Sequence, residues 1–190
     1  METQKVVFLV GKKVILRPLD KRGDIDSCLR WINDEEVRRF ISAYRPNSYI
    51  EEEEWFDSLH KRDDSIHLAV ETKEDGIFIG VMGVHHINWR NRTAVTGAII
   101  GEKNYWGKGY GTDAKMILLN YAFNELNLRK ISSHVLSFNK RSVAYSKKCG
   151  YKIEAVLKNQ IFKNGKYWDE VILSLYKKDW FPLWKKYRRE

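Results

Sequence analysis

Cysteine is nearly absent from this chain of 190 residues. Its two copies, Cys28 and Cys149, stand far apart and form no CxxC pair. That excludes a disulfide framework and a thiolate zinc site, and no metal is expected. Proline is scarce as well: Pro18, Pro46 and Pro182 are the full complement, so no Pro-rich spacer divides the chain. There is no low-complexity linker and no internal repeat. No apolar run approaches the ~20 residues that cross a bilayer, so no membrane partner is expected. The short apolar run Val6 to Val10 lies among Glu2, Lys5, Lys12 and Lys13, with no small-residue cleavage site, and is not read as a signal peptide. These absences predict a single domain over residues 1–190 in a reducing, cytoplasmic setting.

Hydrophobic residues make up 43% of the chain, enough for a real core and too many for a disordered segment. Lys plus Arg exceeds Asp plus Glu, 34 against 25, for a net charge of +9 that favours anionic partners without choosing among them. The basic C-terminal extension 177–190, ending in Lys185-Lys186-Tyr187-Arg188-Arg189, reads as a solvated tail.

Periodicity gives the elements. Val6 to Leu9 and Val14 to Arg17 read as strands around the turn at residues 10–13. A helix opens at Asp24-Ile25-Asp26-Ser27, and a second runs from about Ile50 to Lys61 with Ser48 as its N-cap. Three strands follow: Ile66 to Glu71, Ile77 to Val84 and Thr93 to Ile100. Ala114, Ile117, Leu118, Tyr121 and Ala122 mark an amphipathic helix. Lys130 to Leu136 is a strand, Ser142 to Lys148 a short helix ended by Gly150, and 151–162 and 167–176 a hairpin about Asn164-Gly165. The class is α+β: a mixed, mostly antiparallel sheet with helices on both faces and one parallel strand pair where the central helix crosses over.

The informative segment is Tyr105-Trp106-Gly107-Lys108-Gly109-Tyr110-Gly111-Thr112, set between a strand and a helix. Alternate glycines allow tight turning and close approach of backbone N–H groups, and a helix N-terminus adds partial positive charge. Together they suit a pyrophosphate. Thr112 and Asp113 stand where helix-capping residues belong. The spacing excludes a P-loop and a dinucleotide fingerprint. On the residues alone, a purely structural turn stays open.

The block Ile99 to Ala114 resembles motif A of GNAT-superfamily N-acetyltransferases, with Trp106 at the usual Gln/Arg place and Gly109 and Gly111 on the motif's glycines. Asn139-Lys140-Arg141-Ser142 through Cys149-Gly150-Tyr151 is similar to motif B. Leu16-Arg17-Pro18-Leu19, Trp31 to Val37 and Glu53-Glu54-Trp55-Phe56 extend the likeness over residues 14–176. The closest branch includes bacterial ribosomal-protein N-terminal acetyltransferases and spermidine acetyltransferases.

The resemblance implies acetyl-CoA as acyl donor and a cytoplasmic enzyme. Ile99, Ile100 and Gly101 would meet the pantetheine arm. Trp106 would stand at the cofactor, and Gly107, Lys108, Gly109, Tyr110, Gly111 and Thr112 would hold the pyrophosphate. Asn139 would contact the cofactor near its reactive half. An amine would attack the thioester directly in a ternary complex. Two positions depart from the pattern. Ser146 stands where many members carry the Tyr that protonates the thiolate, which makes Ser146 the candidate acid, with Tyr145 read as core. Val95, in Ala94-Val95-Thr96-Gly97, stands where related sequences often carry a Glu that would act as the base. His85 or His86 could serve as base or water relay, and a base-free route through a water chain or a substrate amine of low pKa stands beside them.

The implied partner is an amine-bearing acceptor: a protein N-terminus, polyamine, amino sugar or antibiotic. Trp31, Tyr44, Tyr49, Trp89 and Trp168 are candidate lining residues, and Glu51 to Glu54 could build a local acidic pocket. A homodimer is left open. Two rival readings stand beside the enzyme: an acyl-CoA-binding domain with little catalysis, and a basic RNA- or ribosome-binding module, for which nucleic acid is the less expected partner.

Overall fold

The computed structural model describes residues 6–189; Glu2 and Lys5 lie outside the described residues. The chain forms two compact units. One holds the chain up to Gly83 with Ala98–Leu118; the other holds Val84–Gly97 with the chain from Leu119 onward.

Strands β1 (Leu9–Val10), β2 (Val14–Pro18) and β3 (Ile66–Thr72) begin the first unit, followed by β4 (Phe78–Asn88) and β5 (Thr93–Ile100), which run through both. The second unit adds β6 (Lys130–Leu136), β7 (Lys152–Lys163) and β8 (Lys166–Tyr176). The hydrogen-bonded order is β1-β2-β3-β4-β5-β6-β8-β7. β1–β2, β2–β3, β6–β8 and β7–β8 pair antiparallel, and β5–β6 pair parallel. The α+β expectation, with one parallel pair at the central crossover, is borne out. The parallel ladder is short: Thr93, Ala94 and Val95 face Lys130, Ile131 and Ser132, and β5 continues to Ile100 beyond it.

In the first unit, α1 (Lys21–Asn33) starts at the N-cap Asp20, earlier than the periodicity suggests. A one-turn helix, α2 (Glu35–Arg38), is capped by Asp34. α3 (Tyr49–Ser58) opens with the Ser48–Glu51 capping box and tightens into a 3-10 turn over Leu59–Lys61. Ile25, Cys28, Trp31, Val37 and Phe56 form one buried cluster, against which Phe78, Val81, Ile99 and Trp106 pack. Burial pushes the Cys28 thiol up to about 12, leaving a packing residue rather than a nucleophile.

α4 (Tyr110–Asn124) passes from the first unit into the second. In the second unit, α5 (Lys140–Lys148) ends at Gly150, whose φ of 92° is the left-handed C-cap predicted for it. The tail expectation is overturned: residues 177–189 form a helix, α6, in which Trp180 has no exposed surface. Trp180 meets Phe123 at 5.9 Å and stacks on Trp184, which stacks on Tyr187. That apolar stripe at helical spacing outweighs Pro182 and the surrounding charge.

Candidate functional site

The glycine loop belongs to the first unit, where local sequence builds it in layers. β5 ends against Trp31. A side chain at Gly101 would overlap that indole, so only glycine lets the strand close on α1. Trp31 Nε1 donates to Glu102 Oε1 at 3.1 Å, and Arg30 donates to the same oxygen at 2.5 Å. Lys103 pairs with Asp34 at 3.0 Å and also with Glu36, and the hydrogen bond from Lys103 holds the Asp34 carboxyl below its ordinary range. Trp106 Nε1 donates to the Ile100 carbonyl at 2.6 Å. The segment between strand and loop is therefore clamped before the loop begins.

Gly107 and Gly109 have φ of 75° and 89°, the left-handed region that side chains resist. A Cβ on Gly107 would meet nothing within 4 Å, so its glycine serves backbone conformation rather than packing. α4 follows at Tyr110. Among the described residues, no hydrogen bond ties up the amides of Gly107, Lys108, Gly109, Tyr110 or Gly111. They are the orphan donors of a helix start, presented by an open loop.

Asp113 does not cap its own helix, as its position suggested. Its carboxylate, 5% exposed, accepts from the backbone N–H groups of Lys12, Lys13 and Val14 at 3.2, 2.8 and 3.0 Å. This ties the β1–β2 turn to the first turn of α4. Lys13 Nζ then donates to the Lys108 carbonyl at 3.0 Å and lies 5.4 Å from the centre of the Tyr110 ring. Lys12, Lys13, Lys73, Glu74 and Tyr110 line a cavity of about 350 Å³ beside the loop. The sequence reading found Lys108 and missed Lys12, Lys13 and Lys73. Nothing in their local pattern marks them: Asp113 recruits Lys12 and Lys13 across about a hundred residues, and Lys73 joins through its bonds to Lys13 and Gly11.

The second unit holds Asn139 and Ser146, both on α5. Asn139 is the helix N-cap, with Oδ1 accepting from the Ser142 amide at 3.1 Å, and no described residue is bonded to its Nδ2. Ser146 has no exposed surface. Its neighbour Tyr145 is also enclosed, and desolvation drives that phenol well above its ordinary range, as a core residue. Val95 is half-buried on β5. His85 is half-buried, and His86 is exposed with a φ of 51°.

The candidate lining aromatics stand in different surroundings. Trp31 is core at 3% exposed, and Tyr44, Tyr49 and Trp89 are exposed. Trp168 packs on Phe138 at 4.6 Å, with the Lys166 ammonium 3.9 Å from its ring centre. Three of the four consecutive acidic residues of α3 are engaged within the first unit. The Glu51 carboxylate accepts from the Ser48 backbone N–H in the capping box, and Glu53 pairs with Lys21. Glu52 is buried on Asn47, and desolvation raises its pKa.

Comparison with known proteins agrees with this architecture. Residues 13–152 match the model of the acetyltransferase (GNAT) domain family. The spermidine N(1)-acetyltransferase of Vibrio cholerae is 31% identical over 163 residues, 84% of this chain and 91% of that protein. The spermidine N(1)-acetyltransferase of Escherichia coli is 29% identical over 163 residues, 86% of each. A crystal structure of the Vibrio cholerae spermidine N-acetyltransferase, in complex with CoA and spermine, superposes with a TM-score of 0.82 at 26% identity, covering 88% of this chain and 97% of that one. A loop of open amides after a clamped strand, on a chain matched to this family over most of its length, identifies the chain as a member of the GNAT family and an acetyl-CoA-dependent N-acetyltransferase.

Proposed function

We propose that the chain transfers the acetyl group of acetyl-CoA directly to a primary amine, with the pyrophosphate held on the amides of residues 107–112. The observation that carries this reading is the open loop itself: left-handed glycines at 107 and 109 and unengaged amides at a helix start. Lys13 and Lys108 add positive charge where the phosphates would lie, and Lys12 and Lys73 extend it. Ile99, Ile100 and Gly101 would offer the pantetheine arm a strand edge beyond the end of the parallel ladder. The Nδ2 of Asn139 is the group on α5 suited to meet a ligand. A crystal structure with acetyl-CoA tests the assignment, and a pyrophosphate bound away from the 107–112 amides sinks it.

The small-amine relatives favour a small-molecule acceptor over a protein N-terminus. The committed carboxylates of α3 and the charge of +9 disfavour a long polycation at that surface. Free-thiol release across a panel of monoamines, polyamines and N-terminal peptides separates these classes. No release with any amine would leave the acyl-CoA-binding reading in its place.

Two variants probe the parts. Gly109→Val forces a β-branched residue to a φ of 89°. It should weaken acetyl-CoA binding roughly tenfold to a hundredfold, from about 1–3 kcal/mol of backbone strain and misplaced amides. Isothermal calorimetry reads this directly, and unchanged affinity would show that the loop does not hold the cofactor. For the acid, Ser146→Ala should slow thiol release with little change in acetyl-CoA affinity. Turnover equal to wild type would remove Ser146 from the mechanism and leave it, with no exposed surface, a packing residue.

A further inference from the structure

The geometry points to His85 as the catalytic base that takes the proton from the amine, in the place left vacant by Val95. This rests on the acetyl-transfer reading above. Side chains on a strand alternate between faces, so Val95, Gly97 and Ile99 share one face of β5. Val95 offers no ionisable group there, and Ile99 begins the segment assigned to the pantetheine arm. Midway between them stands Gly97, and the space over it is filled by imidazole. A Cβ built on Gly97 would lie 2.9 Å from His85 Nε2 and 3.1 Å from His85 Cδ2. The missing side chain at Gly97 is what lets the ring lie flush on the strand. No titratable side chain stands on that face of β5 between Val95 and Ile99.

The backbone supports the placement. His86, the next residue along β4, has a φ of 51°, a left-handed conformation inside a strand that a non-glycine residue adopts at a cost. Such irregularities re-aim neighbouring side chains and gather near active sites. His86 itself is exposed, so the two histidines do not compete for the role.

The step balances simply. The neutral imidazole takes one proton from the alkylammonium and passes it to solvent. The freed nitrogen lone pair forms the C–N bond at the thioester carbonyl. Collapse of the tetrahedral adduct breaks the C–S bond, and the sulfur leaves with the electron pair. The second proton on nitrogen ends on that sulfur, giving amide and free thiol.

The test compares two acceptors of similar size with the intact protein: an alkylamine, which is protonated at neutral pH, and methoxyamine, which is not. His85→Gln should reduce kcat/KM for the alkylamine by about 10²- to 10⁴-fold, the usual share of a general base. It should change methoxyamine turnover by less than about threefold and leave acetyl-CoA binding by calorimetry unaltered. Gly97→Ala, whose Cβ presses into the imidazole, should reproduce the selective loss with the histidine still present. Alkylamine turnover by His85→Gln within about threefold of wild type overturns the proposal, and so does an equal loss with both acceptors. Wild-type protein that binds acetyl-CoA but acetylates neither amine overturns the transfer reading itself, a different result from either.

Discussion

Replacing Asp113 with alanine should lower the melting temperature by roughly 10 °C and weaken acetyl-CoA binding about tenfold. The carboxylate serves three backbone donors, on Lys12, Lys13 and Val14, and Val14 has no exposed surface. Alanine strands donors that water cannot easily reach, at about 1–3 kcal/mol for each buried group left unpaired. Lys12 and Lys13 recover some hydration, so the net loss should be near 3 kcal/mol. For a chain of this size, that is the shift just stated. The binding loss has a separate cause. Without Asp113 the β1–β2 turn loosens, and Lys13 loses its fixed reach to the Lys108 carbonyl inside the glycine loop.

A control follows from Gly11, where an added Cβ would overlap the Asp113 carboxylate. Gly11→Ala should disturb the same node. The double variant should therefore cost clearly less than the sum of the two, because both act on one set of hydrogen bonds. Thermal denaturation of the four proteins checks this. An unchanged melting temperature for Asp113→Ala would show that the turn holds without it.

This node shows where sequence reading succeeds and where it stops. Local chemistry was legible: Ser48 capping α3, Gly150 closing α5, and the Asn164-Gly165 hairpin follow from residues a few positions apart. The loop 107–111 was legible because its alternate glycines lie close together in the chain, with Gly107 and Gly109 set by backbone conformation. Asp113 was read as a helix-capping residue because that is what its neighbours suggest, while its real partners lie about a hundred positions away. The C-terminal helix was hidden for a related reason. Lys and Arg dominate its composition, and what buries Trp180 is Phe123 and the stacked Trp184, a tertiary fact. His85 was one of two adjacent histidines until the empty space at Gly97 distinguished them.

The second large effect is expected at Gly80. A Cβ there would overlap the Ile99 carbonyl and stand 2.8 Å from the Ile100 Cα. Both obstacles are backbone, so no rotamer change relieves them, and β4 and β5 must move apart. Gly80→Ala should therefore cost at least about 3 kcal/mol, at the severe end for a single methyl group. It should also raise the KM for acetyl-CoA more than tenfold, since Ile99 and Ile100 are the residues proposed to meet the pantetheine arm. Gly107→Ala provides the contrast. Its Cβ would meet nothing within 4 Å, but the residue must hold a φ of 75°. The cost there is conformational strain of about 1–2 kcal/mol, with little effect on the sheet. Chemical denaturation and acetyl-CoA calorimetry on the two variants separate the cases. Gly80→Ala should lose stability and affinity together, whereas Gly107→Ala should lose affinity with most of its stability kept. If Gly80→Ala binds acetyl-CoA as tightly as wild type, the end of β5 is not where the pantetheine arm lies.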